Sequence, residues 1–159
     1  MIRRMPVERK RIEIRWRDLD GFGHVNNAVF LTYLEEARDR WLQRHLGDPP
    51  GQGEYLLARV AVDYRSQVVL DDVYVDAEVD IERIGRSSAT LRERVYAGAA
   101  RRLAVEAEAV VVRYDWSSGT SRPIDAALAA SLAASTAEVP AQAPSPAASG
   151  ESPSARPSA

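Results

Sequence analysis

The amino-acid sequence predicts an α+β domain in which one long helix packs against one antiparallel sheet. Three observations lead to this fold class: one amphipathic stretch has helical spacing, five stretches alternate between apolar and polar residues, and the breaks between the later stretches are short. Strands joined by short breaks pair in opposite directions, so the sheet should be antiparallel. A chain of 159 residues is long enough for one domain with its own apolar core.

The first strand is predicted from RIEIRW, where Ile12, Ile14 and Trp16 alternate with charged residues. Four later stretches alternate in the same way: LLARVAVDY, VYVDAEVDIE, SATLRERVY and LAVEAEAVVVRY. We predict that the breaks SQVVLDD, IGRSS and AGAAR connect the strands of a meandering sheet. The alternation predicts a core-facing set made of Leu56, Ala58, Val60, Val62, Tyr64, Val73, Val75, Ala77, Val79, Ile81, Ala89, Leu91, Val95, Leu103, Val105, Ala107, Ala109 and Val111.

The helix is predicted from about residue 27 to residue 45, because apolar residues recur there at helical spacing. Asn26 or Asn27 could cap its start, and the glycines and prolines of GDPPGQG end it. One helix cannot cover both faces of a five-stranded sheet. We therefore expect the sheet to curl around the helix and to leave an edge or a face for another copy of the chain, most simply in a homodimer.

Charge and composition exclude several classes of protein. The chain has no cysteine, which excludes a disulfide framework, a zinc-thiolate site and a cysteine nucleophile. A formal net charge of −2 does not favour binding to nucleic acid or to a membrane. The basic run RRMPVERKRIEIRWR is interpreted as a solvated arm and strand edge, and the alternative is that it contacts an anionic, phosphate-bearing ligand. No stretch approaches the roughly 20 apolar residues of a membrane helix, and MIRRMPVERK lacks the apolar core of a signal peptide, so a soluble cytoplasmic protein is predicted.

The composition changes towards the C-terminus. RPIDAALAASLAAS predicts a short helix, but the final stretch VPAQAPSPAASGESPSARPSA is almost entirely proline, alanine, serine and glycine. Such a segment cannot bury enough apolar surface to offset its loss of conformational entropy. We therefore divide the chain into a folded domain at 1–135 and a disordered tail at 136–159.

The stretch DLDGFGHVNN, immediately before the predicted helix, holds the candidate chemistry. A calcium loop is excluded because no glutamate stands twelve positions from Asp18 or Asp20, and the glycines are too few for a phosphate-binding loop. No serine has the context of a nucleophile in a catalytic triad. What remains is a carboxylate, Asp20, just ahead of a helix N-terminus whose free N–H groups can stabilise an oxyanion. Glycines such as Gly23 let a ligand approach the backbone.

RWRDLDGFGHVNNAVFLTYLEEAR resembles the signature of hotdog-fold acyl-CoA thioesterases of the 4-hydroxybenzoyl-CoA thioesterase type. This resemblance implies the hotdog fold, a five-stranded antiparallel sheet wrapped around one long central helix. It also implies homodimers or homotetramers with sites at the interface. By the same resemblance Asp20 is the catalytic carboxylate, acting as a nucleophile or a general base, and the backbone N–H near Asn27 is the oxyanion donor.

Several further residues are candidates on the same grounds. His24 and Asn26 are expected to shape the loop and to hold water or the acid, while Phe30, Tyr33 and Leu34 would contact a fatty or aromatic acyl chain. GRSS resembles the hairpin that borders the pantetheine of CoA, which makes Arg86, Ser87 and Ser88 candidate substrate contacts. Asp18 is interpreted as a structural turn residue or a partner of a nearby arginine.

The resulting prediction is an enzyme that hydrolyses acyl-CoA to free acid and CoA without a metal or a cofactor. Two alternatives remain open at this stage. One is a non-catalytic acyl-CoA-binding hotdog module, and the other is a hotdog hydratase or dehydratase that uses an aspartate and a histidine together.

Overall fold

The computed structural model describes residues 7–47, 54–127 and 129–130 of the chain. Its elements are β1 (Glu8–Glu13), α1 (Asn27–His45), β2 (Tyr55–Tyr64), β3 (Tyr74–Ile84), β4 (Ser88–Ala97), β5 (Arg102–Asp115) and the two-residue β6 (Thr120–Ser121). Two short 3-10 turns lie at Trp16–Asp18 and Leu70–Asp72. The predicted helix is confirmed over its whole length.

The sheet has the order β1-β3-β4-β5-β2, every pair is antiparallel, and β6 pairs with the end of β5. The predicted five-stranded sheet curled around one helix is confirmed. The meander is correct for β3, β4 and β5 but wrong for SQVVLDD, because β2 lies at the opposite edge of the sheet from β1 and does not pair with β3. The connection between β2 and β3 therefore crosses the end of the sheet, where its Val68 C=O accepts from the N–H of Val25.

The core lies between α1 and the inner faces of β1, β3 and β4. The predicted alternation is confirmed for most of β3, β4 and β5, whose buried apolar side chains are Val75, Ala77, Val79, Ile81, Ala89, Leu91, Val95, Ala97, Ala104, Val105, Ala107, Ala109 and Val111. The prediction is wrong for Leu103, which is only half-buried, because the register shifts beside it and Ala104 takes the buried position. The buried apolar face of α1 consists of Phe30, Tyr33, Leu34, Ala37, Trp41 and Leu42.

Three further parts of the predicted core are wrong. Trp16 is 80% exposed because β1 ends at Glu13 and a 3-10 turn follows. Val73 is 59% exposed because it ends the second 3-10 turn with a positive φ of 68°. In β2 no predicted core residue is fully buried, since α1 packs against β1, β3 and β4 and the inner face of β2 lies beyond it.

The C-terminal prediction is tested only over its first residues. Residues 126–127 and 129–130 are helical, in agreement with the start of the predicted C-terminal helix. The predicted tail at 136–159 lies outside the described residues. None of the helices in the described ranges is long and apolar enough to cross a membrane.

Candidate active site

The stretch between β1 and α1 is a tight hairpin whose backbone hydrogen bonds close it at both ends. At its base the C=O of Asp18 accepts from the N–H of Asn26 at 2.9 Å, and further out the N–H of Asp20 donates to the C=O of His24 at 2.8 Å. The turn between them needs Gly23, whose φ of 77° is a conformation that side chains other than glycine rarely adopt. The hairpin therefore brings Asp20 back beside the start of the helix.

The carboxylate of Asp20 is held by one of its two oxygens. Oδ1 accepts from the N–H of Phe22 at 2.8 Å and from the N–H of His24 at 3.3 Å, the pattern of an aspartate that caps its own turn. Oδ2 has no hydrogen bond from any of the described residues. The second oxygen is thus free to act on a ligand while the first fixes the side chain.

Asp18 has a different environment, because it is buried and one oxygen of its carboxylate accepts two hydrogen bonds. Oδ2 accepts from the N–H of Arg15 at 2.9 Å and from the hydroxyl of Tyr33 at 2.7 Å, and the Arg15 guanidinium lies 3.4 Å away. Burial opposes ionisation of this carboxyl, but the hydrogen bonds from Arg15 and Tyr33 outweigh it, so the pKa of Asp18 is lowered. Burial and the bond to Asp18 raise the pKa of Tyr33. Asp18 is a structural residue, as the sequence suggested.

The start of α1 leaves one amide available. The Asn26 side chain caps the helix by accepting from the N–H of Ala28 at 2.9 Å. The N–H of Asn27 has no hydrogen-bond partner among the residues that the structure describes. The C=O of Asn27 accepts from the hydroxyl of Tyr64 at 2.9 Å. A free amide at the positive end of the helix dipole suits an oxygen that becomes negative.

One cleft of about 280 Å³ joins these parts. Its lining consists of Asp20, His24, Val25, Asn27, Phe30, Tyr64, Arg65, Ser66 and Gln67. Of the sequence-predicted residues, Asp20, His24, Asn27 and Phe30 meet here. Phe30 and Val25 supply apolar surface, and the other lining residues, among them Asp20 and Asn27, are polar or bear a polar group.

Sequence reasoning missed the wall formed by Tyr64, Arg65, Ser66 and Gln67. These residues end β2 and begin the connection to β3, which was interpreted as a simple link between neighbouring strands. The one signal in the sequence was the abrupt change from the apolar alternation of β2 to the polar run RSQ. Only the position of β2 at the sheet edge brings that run beside the hairpin.

Other predicted site residues lie outside the cleft lining. Gly23 and Asn26 belong to the hairpin and shape its backbone, but their side-chain positions face solvent. Tyr33 has no exposed surface and its hydroxyl is committed to Asp18, so in this chain it is a core residue without access to an acyl group.

The hairpin with Arg86, Ser87 and Ser88 is at the other end of the sheet. Ser88 pairs with Val112 of β5, whereas Tyr64 at the cleft pairs with Val105 of the same strand. Seven residues along a strand correspond to roughly 24 Å. The structure of one chain therefore does not bring the GRSS residues to the cleft, and a shared substrate would have to span this distance or meet the hairpin of a second copy.

In the described part of the chain, no group of three histidine, aspartate or glutamate side chains is placed to hold a metal ion. The residues that line the cleft carry a carboxylate, an imidazole, a guanidinium, hydroxyls and amides beside its apolar surface.

Comparison with known proteins identifies the family. Residues 14–132 match the model of the thioesterase-like superfamily. The chain belongs to this superfamily. A search of curated proteins found no match.

Solved structures named as thioesterases agree with this assignment. A thioesterase from Thermus thermophilus, complexed with coenzyme A and Zn, is 38% identical with a TM-score of 0.71, and the match covers 80% of this chain and 97% of that one. A presumed acyl-CoA thioesterase from Xanthomonas campestris is 34% identical with a TM-score of 0.61, covering 70% and 96%. A presumed thioesterase from Pseudomonas aeruginosa is 27% identical with a TM-score of 0.69, covering 79% and 98%.

Membership of the superfamily confirms the predicted enzyme class, a thioester hydrolase. It also confirms the predicted hotdog fold. The narrower resemblance to the 4-hydroxybenzoyl-CoA type stays a prediction, as do the roles of the individual site residues.

Proposed function

We propose that this chain hydrolyses acyl-CoA thioesters, with the Asp20 carboxylate as nucleophile or general base and the Asn27 N–H as an oxyanion donor. The observation that carries the proposal is that both groups line one cleft, with the Oδ2 atom of Asp20 and the Asn27 amide unpartnered in the described part of the chain. The choice of CoA is supported by the Thermus thermophilus relative, which was crystallised with coenzyme A.

The reaction needs a nucleophile on one side of the thioester carbonyl and a donor for its oxygen. The Asn27 amide stabilises the oxygen as the carbonyl becomes tetrahedral, and removing one such donor from other enzymes costs on the order of 10²–10³ in rate. In the nucleophilic route, Oδ2 of Asp20 bonds to the acyl carbon and the C–S bond breaks, releasing CoA thiolate. Water then cleaves the acyl-aspartyl anhydride, which regenerates the Asp20 carboxylate and supplies the proton that the thiolate takes up. In the general-base route, Oδ2 takes a proton from water, whose oxygen attacks, and the proton passes to the departing sulfur. Both routes give free acid and CoA thiol.

The neighbouring residues have supporting roles in this proposal. Phe30 and Val25 form an apolar surface for a fatty or aromatic acyl group. His24 also lines the cleft, where its ring could hold the water that enters the reaction. Its backbone already orients the acid, since the His24 N–H donates to Oδ1 of Asp20.

The decisive experiment is Asp20→Asn, measured by thiol release over a panel of acyl-CoA esters of different chain length and aromaticity. Asparagine keeps an Oδ1 acceptor for the Phe22 and His24 amides, so the hairpin should stay folded. Losing the carboxylate removes both the nucleophile and the base, and we expect turnover to fall by at least about 10²-fold.

The matched control is Asp71→Asn, an exposed aspartate of the second 3-10 turn outside the cleft lining, which should retain turnover. A folded Asp20→Asn variant with normal turnover would exclude the assignment. Binding of CoA esters by the wild-type chain without thiol release would favour the non-catalytic module instead, and hydration of an unsaturated ester would favour the hydratase.

A further inference from the structure

We infer that Tyr33 and Tyr64 are positioning residues that hold Asp20 and the Asn27 amide at a fixed separation. This inference rests on the proposed function. The Tyr33 hydroxyl forms a hydrogen bond to the hairpin that carries Asp20, and the Tyr64 hydroxyl forms one to the first residue of α1. Neither hydroxyl takes part in the proposed reaction itself.

Tyr33 fixes the half of the site that carries the acid. Its hydroxyl donates to the carboxylate of Asp18 at 2.7 Å, and the backbone C=O of Asp18 in turn closes the base of the hairpin by accepting from the N–H of Asn26. Asp20 is two residues further along the same hairpin. Tyr33 is 0% exposed, so any effect of its hydroxyl on catalysis must pass through Asp18 and the hairpin rather than through contact with substrate.

Tyr64 fixes the half that carries the oxyanion donor. Its hydroxyl donates to the C=O of Asn27 at 2.9 Å, which ties the first residue of α1 to the last residue of β2. The backbone bonds from Asn26 to Asp18 and from Val25 to Val68 hold the residues just before the helix, and the Tyr64 bond is the one that joins β2 directly to its first turn. Tyr64 also lines the cleft with a side chain that is 46% exposed, so its ring is part of the wall.

The Phe30 ring packs against the rings of both tyrosines. Its ring centroid lies 6.0 Å from that of Tyr33 and 5.9 Å from that of Tyr64, with interplanar angles of 80° and 66°. Phenylalanine keeps the aromatic ring that makes these edge-to-face contacts and lacks only the hydroxyl. A change of either tyrosine to phenylalanine should therefore leave the ring packing in place and remove only the hydrogen bond of the hydroxyl.

Catalysis is sensitive to such hydrogen bonds because displacing a reacting group by about 1 Å can lower the rate roughly 10²-fold. Groups that react must be held by residues whose own positions are fixed by packing and by further hydrogen bonds. Tyr33 meets this requirement through burial, and Tyr64 meets it through its place in the sheet and its contact with Phe30.

The test compares Tyr33→Phe and Tyr64→Phe with wild type by steady-state thiol release, with Tyr96→Phe as the control. Tyr96 lies on β4 under the Arg101 guanidinium, away from the cleft, and loses the same hydroxyl. Circular dichroism and thermal unfolding establish that each variant is folded at the assay temperature. We expect kcat to fall about 10- to 100-fold in each test variant while KM stays within about twofold, because transition-state positioning is lost and ground-state binding is kept. The control should match wild type.

Two results would overturn the inference. The first is wild-type kcat in folded Tyr33→Phe and Tyr64→Phe while Asp20→Asn is inactive, which leaves the role of Asp20 intact but removes the positioning role. The second is a raised KM with unchanged kcat in Tyr64→Phe, which makes that hydroxyl a substrate contact. If Tyr33→Phe does not fold, the kcat of Tyr64→Phe, a change at a half-exposed position, tests the inference by itself. Normal turnover in Asp20→Asn would instead refute the proposed function.

Discussion

Asp18 and Asp20 are two residues apart in the chain, yet their carboxylates have opposite surroundings. Asp18 is buried and accepts from a backbone N–H and a tyrosine hydroxyl, and its pKa is lowered. Asp20 is partly exposed and leaves Oδ2 without a partner among the described residues. Asp18 ends the first 3-10 turn and is outside the cleft lining, whereas Asp20 lines the cleft. One aspartate stabilises the hairpin and the other is available for chemistry.

The lowered pKa of Asp18 predicts an effect of pH on stability. A carboxyl whose folded pKa lies below its ordinary value of 3.8 stabilises the fold above that value, and the contribution is lost as the pH falls through the folded pKa. Asp18→Asn should therefore unfold at a lower urea concentration than wild type at neutral pH. Its free energy of unfolding should be lower by about 1–3 kcal/mol, because the hydrogen bonds of a buried acceptor are lost. The difference in free energy of unfolding should shrink as the pH is lowered to about 3.

Urea titrations at both pH values measure this difference. Asp76, whose pKa is lowered by a hydrogen bond from Arg11, stays in both proteins, so its own acid sensitivity cancels. The prediction would be contradicted if wild type and Asp18→Asn differed in free energy of unfolding by the same amount at both pH values.

Between α1 and β4, the elements are joined by an ion pair inside the core. The Nε and Nη2 atoms of Arg38 donate to the two oxygens of Glu93 at 2.7 and 3.0 Å, and the side chains are 6% and 0% exposed. Burial raises the pKa of Glu93 against the attraction of Arg38. Such a pair adds less stability than its geometry suggests, because both charges lose their hydration, but it is costly to break by removing one partner.

Arg38→Met should destabilise the chain by about 3–5 kcal/mol, because it leaves the Glu93 carboxyl buried without a partner. Adding Glu93→Leu to that variant removes the unpaired group and should recover much of the loss. Chemical denaturation of the single and double variants measures both effects. Arg92→Met, which breaks a partly exposed pair with Asp80, is the control and should cost about 1 kcal/mol or less. A double variant as unstable as the single one would contradict this account.

The whole molecule has two unlike sheet edges. β1 is short and charged, and its Glu8 forms ion pairs with Arg40 and Arg44 of α1. β2 has ten residues, pairs with β5 alone within the described part of the chain, and leaves apolar side chains such as Leu57 exposed. Charges on a short strand protect an edge, whereas a long apolar strand invites pairing with another chain. The β2 edge is therefore where we expect the predicted homodimer or homotetramer to form.

Sedimentation velocity should give the wild-type chain a mass of at least twice its 17.5 kDa. Leu57→Arg places a charge on the exposed side of β2 and should shift the protein to a smaller species at micromolar concentration, because burying an unpaired charge in an interface is costly. Glu13→Arg, at the end of β1, is the control and should leave the mass unchanged. A monomeric wild type, or a Leu57→Arg variant of unchanged mass, would argue against this edge as the interface.

Much of the fold was predictable because its signals are local. The helical spacing of α1 and the alternation of β3, β4 and β5 follow from which side chains must be buried, and these periodicities can be read without knowing the neighbours. Trp16 and Val73 were misassigned because a 3-10 turn interrupts the alternation at each of them, and no residue type in those stretches signals that interruption. The site was predictable to the extent that it lies in one continuous stretch, from Asp20 to Phe30.

The sequence by itself determined one helix, an antiparallel sheet and a carboxylate placed just before a helix start, since each depends on residues close together in the chain. Only the tertiary structure decided that β2 lies at the edge beyond β5, that Tyr64 and the residues after it complete the cleft, and that Tyr33 holds Asp18 rather than a ligand. The physical reason is that strand order and shared cavities are set by contacts between segments far apart in sequence. The local spacing of apolar residues carries no information on which of these distant segments pack together.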